Sequence, residues 1–147
     1  MFRIKFLLID QFMTQDRKCK FNRRLFVFLI LNHFRCRSVK YLKYLPSTSV
    51  IVTVFNEWQS ILLRTIHSIY NRTPHNLLKE LIIVNDNSSK PELGEQLELY
   101  LKSNFDSRVK LLRLKQRKGL IVARMEGAKM ATGEVLVFLD SHMEVNS

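Results

Sequence analysis

Four short polar stretches carry the side chains that could do chemistry. Asp140-Ser141-His142 sets a carboxylate and an imidazole two positions apart, directly after the apolar run Val135–Leu139. A hard carboxylate beside an imidazole suits Mn2+ or a similar divalent ion. Residues two apart at a strand end project to the same side, so the pair is expected to share one ion. Two protein ligands do not fill an octahedral shell. The other positions would fall to water, further residues and the diphosphate oxygens of a ligand.

Two of the other stretches also follow apolar runs: Thr53-Val54-Phe55-Asn56-Glu57 and Asn85-Asp86-Asn87-Ser88. Acids gathered at one edge of a sheet suggest a cation or a donor-rich ligand. The same Asn/Asp/Ser clusters also serve as ordinary turn residues that cap the next helix. The fourth stretch, Arg117-Lys118-Gly119, offers cations at the start of a helix, where phosphate can be met. A solvated basic loop is the plainer alternative.

These stretches need a frame, and the pattern after Leu45-Pro46 supplies one. Ser49–Val54 is a continuous apolar, β-branched run, as in a strand covered on both faces. Trp58 to Tyr70 puts Trp58, Ile61, Leu62, Ile66, Ile69 and Tyr70 on one helical face. Leu81–Val84 reads as a second buried strand. Pro91 opens a helix running to about Asn104, with Leu93, Leu97, Tyr100 and Leu101 on one side. Val109–Leu114 is the third strand. The helix Leu120–Ala131 follows, its Ala123, Gly127, Ala128 and Ala131 small enough to approach a sheet closely, and Val135–Leu139 is the fourth strand.

The order is β-α-β-α-β-α-β. Such alternation predicts an α/β fold with a parallel sheet and helices on both faces. In that architecture ligands bind beyond the carboxyl ends of the strands, where the polar stretches lie. The sheet is expected to be cut short, because the chain ends five residues after His142.

Composition narrows the function. The chain has 147 residues, 46% hydrophobic and 25% charged, which fits one globular domain rather than a disordered chain. Net charge is +11, yet residues 1–44 hold eleven Lys/Arg against two Asp/Glu, and residues 45–147 hold thirteen against eleven. The basic character thus belongs to an amino-terminal extension, 1–44, and no nucleic-acid partner is expected for the near-neutral remainder. The longest apolar run, Leu25–Leu31, falls well short of the ~20 residues of a membrane span. No signal or anchor is evident. Cys19 and Cys36 form neither a disulfide framework nor a zinc signature. Asn71-Arg72-Thr73 and Asn87-Ser88-Ser89 fit the glycosylation pattern. Pro74 disfavours the first, and the second lies in a candidate ligand loop. His67 is expected to pack in the core or lie on the surface.

Taken in order, LPSTSVIVTVFNE (45–57), LLRTIHSIYNRTP (62–74), LLKELIIVNDNSS (77–89), VKLLRLKQRKGLIVAR (109–124) and ATGEVLVFLDSHMEVN (131–146) resemble the polypeptide N-acetylgalactosaminyltransferases. The resemblance covers about 100 residues. It implies that 45–147 is the nucleotide-sugar-binding half of a catalytic domain with a partial GT-A (Rossmann-like) fold. It further implies a UDP-GalNAc donor, Mn2+, a Ser or Thr acceptor on a protein or peptide, retained configuration, and a place in the Golgi. By that resemblance Thr53 and Asp86 hold the uridine side of the donor, Arg117 contacts the donor, and Asp140 and His142 bind the metal.

Departures accompany the match. Phe55-Asn56-Glu57 stands for the usual H-N-E, Val84-Asn85-Asp86 for V-D-D, Arg117-Lys118-Gly119-Leu120 for R-E-G-L, and Met143 for a Cys. The family's third metal ligand, a later histidine, and its acceptor-binding half have no counterpart in this sequence. The resemblance also pairs Cys36 with a cysteine beyond Ser147. The chain is therefore expected to be incomplete and inactive alone. Another GT-A enzyme using a different UDP-sugar, or a non-catalytic UDP-binding remnant, stands as the alternative.

Overall fold

The β-branched run Thr48–Val54 forms β1, and it lies at the centre of the sheet. The computed structural model describes residues 44–145. The basic extension, apart from Tyr44, and both cysteines lie outside the described residues. After β1 come α1 (Gln59–Arg72), β2 (Leu78–Asn85), a 3-10 turn (Pro91–Leu93), α2 (Glu95–Asn104), β3 (Val109–Arg113), α3 (Leu120–Met130) and β4 (Val135–Asp140). All four strands are parallel in the order β3-β2-β1-β4. The expected α/β alternation is present element for element.

Strand alternation sends β1 and β2 side chains to two cores. Val50, Val52, Val54, Leu81 and Ile83 meet Leu62, Ile66 and Ile69 of α1 and Leu97 and Leu101 of α2. On the opposite face Ile51, Ile82 and Val84 meet Ala123 of α3. Helices therefore cover both faces. The small residues of α3 act as expected. A Cβ on Gly127 would fall 2.6 Å from Ile51 Cγ2 and 2.9 Å from Val84 Cγ2, so the helix rests against the sheet at a distance only glycine permits.

Three details differ from the pattern reading. Trp58 is 64% exposed, not on the buried face of α1. It precedes the helix in extended backbone, and the Lys90 ammonium lies 3.9 Å from its ring centroid. The helix expected from Pro91 is broken at Gly94, where a 3-10 turn gives way to α2. Finally, β2 starts three residues earlier than its apolar core, because Glu80 points inward.

Glu80 closes the end of the sheet away from the polar stretches. Its Oε1 accepts from Ser49 Oγ at 2.8 Å, Thr132 N–H at 2.6 Å and Thr132 Oγ1 at 2.9 Å, and Lys110 Nζ lies 2.6 Å from Oε2. Burial alone would push this carboxyl up. The hydrogen bonds from Lys110, Thr132 and Ser49 outweigh it and bring the pKa down to about 2. One carboxylate thus ties β1, β2, β3 and the α3–β4 turn together.

Candidate functional site

Parallel pairing sets the site's floor. Thr53 of β1 registers with Val84 of β2 on one side and with Asp140 of β4 on the other. The sequence-predicted residues of three strands therefore reach the same edge of the sheet.

On the β2 side, the Asp86 N–H donates to Val54 O at 2.9 Å. Its carboxylate accepts from the backbone N–H of Lys118 at 2.7 Å and of Gly119 at 2.8 Å. Gly119 has φ +83, a conformation that suits glycine, and it precedes the first residue of α3. Asp86 therefore supplies the anion at this helix start, where the sequence left a phosphate or a solvated basic loop open. A carboxylate has about four acceptor positions, so two remain for another donor. Arg117, just before this turn, is exposed, and its guanidinium lies 3.9 Å from the Phe55 ring centroid. The stack joins the residue after β1 to the β3–α3 loop.

The loops after β1 and β2 are laced together. Asn56 N–H donates to Ser88 Oγ at 3.0 Å, and Asn56 Oδ1 accepts from Ser89 N–H at 2.8 Å. Asn56 and Asn87 both have positive φ, tolerable for asparagine. Asn85 spans the turn, accepting from Ser88 N–H and donating to Leu93 O, each at 2.9 Å. Thus Asn85–Ser89 both shapes the turn and brings Asp86 to the edge.

On the β4 side the strand ends at Asp140, and Ser141-His142 form a turn. Strand alternation therefore does not set the direction of His142; contacts from the loop after β1 and from α1 do. Asp140 Oδ1 accepts from Arg124 Nη2 of α3 at 3.0 Å. His142 Nδ1 lies 3.5 Å from Glu57 Oε2, which also accepts from Ser141 Oγ at 3.2 Å. Glu57 Oε1 takes the Trp58 N–H at 2.9 Å. That backbone bond, helped by Ser141 and His142, holds the Glu57 carboxyl below its ordinary range, against the opposing effect of burial. Thr65 Oγ1 of α1 sits 2.8 Å from both the Ser141 and Met143 carbonyls, so its single proton serves one at a time. Farther on, Arg72 binds Glu144 at 3.1 Å and the Val145 carbonyl. The stretch 141–145 is thereby moored along α1.

Among the described residues, Asp140 Oδ2 and His142 Nε2 take no hydrogen bond. Their side chains are 47% and 61% exposed. A carboxylate oxygen and an imidazole nitrogen, each open to solvent, are donor types that suit a divalent cation. No group of three or more His, Cys, Asp or Glu that could hold a metal is present among the described residues.

Residues 49–147 match the family model "Glycosyl transferase family 2". The chain belongs to this family. Its curated relatives are polypeptide N-acetylgalactosaminyltransferases. It is 48% identical over 116 residues to human polypeptide N-acetylgalactosaminyltransferase 10, covering 79% of this chain and 19% of that protein. Identity is 51% over 112 residues to polypeptide N-acetylgalactosaminyltransferase 11 of Xenopus tropicalis, covering 76% and 19%. Among solved structures, GalNAc-T7, crystallised with UDP, GalNAc and Mn2+, superposes with a TM-score of 0.67 at 42% identity, covering 69% of this chain and 19% of that one. A mannosyltransferase from Pyrobaculum calidifontis superposes at 0.60 with 22% identity, over 77% and 34%, which speaks for the fold alone. The fold of this family 2 glycosyltransferase is GT-A. The chain spans less than a fifth of the length of these curated relatives.

Two residues of this glycosyltransferase escape a reading by residue type. Arg124 sits in a helix whose neighbours signal only close packing, and its Nε is buried without an acceptor. Thr65 looks like one more polar residue of α1. Glu57 stands in the first of the polar stretches read from the sequence, but its contacts with Ser141 and His142 cross the fold. His67 packs against Phe105, 4.8 Å between centroids, and its Nε2 lies 2.9 Å from Tyr100 OH, so it belongs to the α1–α2 contact.

Proposed function

We propose that residues 45–147 are the donor-binding part of a polypeptide N-acetylgalactosaminyltransferase, which moves GalNAc from UDP-GalNAc to a Ser or Thr hydroxyl of a protein with retained configuration. The observation that carries this reading is the register of Thr53 beside Asp140, which gives the nucleoside-side and metal-side residues one shared edge. Thr53 and Asp86 would take the uridine, and Arg117, stacked on Phe55, would meet the donor from the loop. Asp140 Oδ2 and His142 Nε2 would hold Mn2+, with water and diphosphate oxygens completing the shell. When bound, the cation neutralises charge that builds on the departing diphosphate, a role that requires no nucleophile from the protein. The family likeness supports work in the Golgi. No helix among the described residues is long and apolar enough to cross a membrane.

Calorimetric titration of the full chain with UDP, with and without Mn2+, tests the reading. UDP is expected to bind weakly and only with Mn2+, and UDP-GalNAc is expected to compete better than UDP-glucose. Binding indifferent to Mn2+, or a preference for UDP-glucose, would count against it.

A further inference from the structure

Glu57 is the only carboxylate among the described residues that contacts the His142 ring, and nothing in the proposed donor chemistry uses it. We propose that Glu57 is a positioning residue: it fixes the tautomer of His142 so that Nε2 presents a lone pair to the metal. The inference rests on the reading of Asp140 and His142 as ligands.

A neutral imidazole carries its proton on one nitrogen and a lone pair on the other. Which nitrogen carries the proton depends on what each faces. Here Nδ1 faces Glu57 Oε2 at 3.5 Å, while the side chain as a whole is 61% exposed. An anionic acceptor beside Nδ1 favours the proton there and frees Nε2. This reverses the preference of free histidine, whose proton favours Nε2.

The carboxylate is itself held by two hydrogen bonds and half-buried. Trp58 N–H fixes Oε1 at 2.9 Å, Ser141 Oγ donates to Oε2 at 3.2 Å, and the side chain is only 21% exposed. Thr65 holds the main chain beside His142, its one hydroxyl proton donated to the carbonyl of residue 141 or of residue 143. Backbone position thus comes from α1 and ring orientation from the loop after β1. Carboxylate–histidine pairs that orient metal ligands work in this way, and their loss costs about 10–100-fold in metal affinity.

The test joins long-range 1H–15N NMR of the His142 ring, at alkaline pH, with Mn2+ titration in the presence of UDP. Glu57→Ala, Glu57→Gln and the unaltered full chain are compared, with circular dichroism as the check on folding. The unaltered chain is expected to show the Nδ1–H tautomer. Glu57→Ala is expected to shift it toward Nε2–H and weaken Mn2+ binding by roughly 10–100-fold. Glu57→Gln, whose amide oxygen can still accept from Nδ1–H, is expected to restore most of both. An unaltered chain already in the Nε2–H form, or a Glu57→Ala variant with unchanged tautomer or Mn2+ affinity, overturns the inference. Should Glu57→Gln be the only variant that folds, loss of both signals in it would overturn the inference too. A chain that holds the Nδ1–H tautomer through Glu57 yet binds no Mn2+ overturns the ligand reading instead.

Discussion

Asp140→Ala is expected to weaken Mn2+-dependent binding of UDP by roughly 100-fold, the upper end of what losing even a supporting group costs at metal sites. Removing the carboxylate takes away the hard oxygen of the proposed ligand pair. It also leaves the Arg124 guanidinium, 3.0 Å away, as an unbalanced cation next to the site. Both effects oppose a divalent ion. The fold itself is expected to change little. Arg124 and Asp140 are 36% and 47% exposed, and a pair so open to solvent contributes about 0–1 kcal/mol. Urea denaturation of the variant should therefore overlay that of the unaltered chain while the Mn2+ titration collapses. A variant that binds UDP and Mn2+ as before would remove Asp140 from the site.

The second large effect is on stability and lies at the other end of the sheet. Glu80→Gln is expected to destabilise the domain by roughly 3 kcal/mol at neutral pH, and to flatten its acid dependence. The sign follows from the depressed carboxyl. Its pKa is about 2 in the folded chain and 4.5 as the reference. The folded state thus favours the charged form, and the contribution is complete above pH 4.5. It is lost as pH falls toward 2. The glutamine amide would turn a donor toward Lys110 Nζ in place of the oxygen now 2.6 Å away, and it cannot titrate. Urea midpoints measured across that pH range should converge for the two proteins at the acid end. Parallel curves would show that Glu80 is not the group responsible.

How far the sequence could be read depended on whether an interaction is local or crosses the fold. Apolar runs bounded by turn residues identify the strands because burial on both faces leaves no room for polar positions, as in Ile51 and Ile82. Spacing likewise identifies α1, whose Leu62, Ile66 and Ile69 share a face. Trp58 escapes that logic because it precedes the helix and lies against Lys90. Glu80 escapes it because only its partners on other elements make an inward charge tolerable. Asp86 and Asp140 were legible as strand-end carboxylates. Their attachments were not: the Lys118 and Gly119 amides and the Arg124 guanidinium come from residues 16 to 33 positions away. Likewise, the turn that redirects His142 depends on Glu57 and Thr65, more than 70 positions earlier.

Mn2+-induced line broadening of the isotope-labelled chain, in the presence of UDP, bears most directly on the ion's position. At a small fraction of one equivalent, signals from Asp140 to His142 are expected to vanish first, followed by those of Thr53 and Asp86, with distant α2 signals retained. Broadening spread evenly over the surface, or centred on another acidic group such as Asp106, would contradict the account.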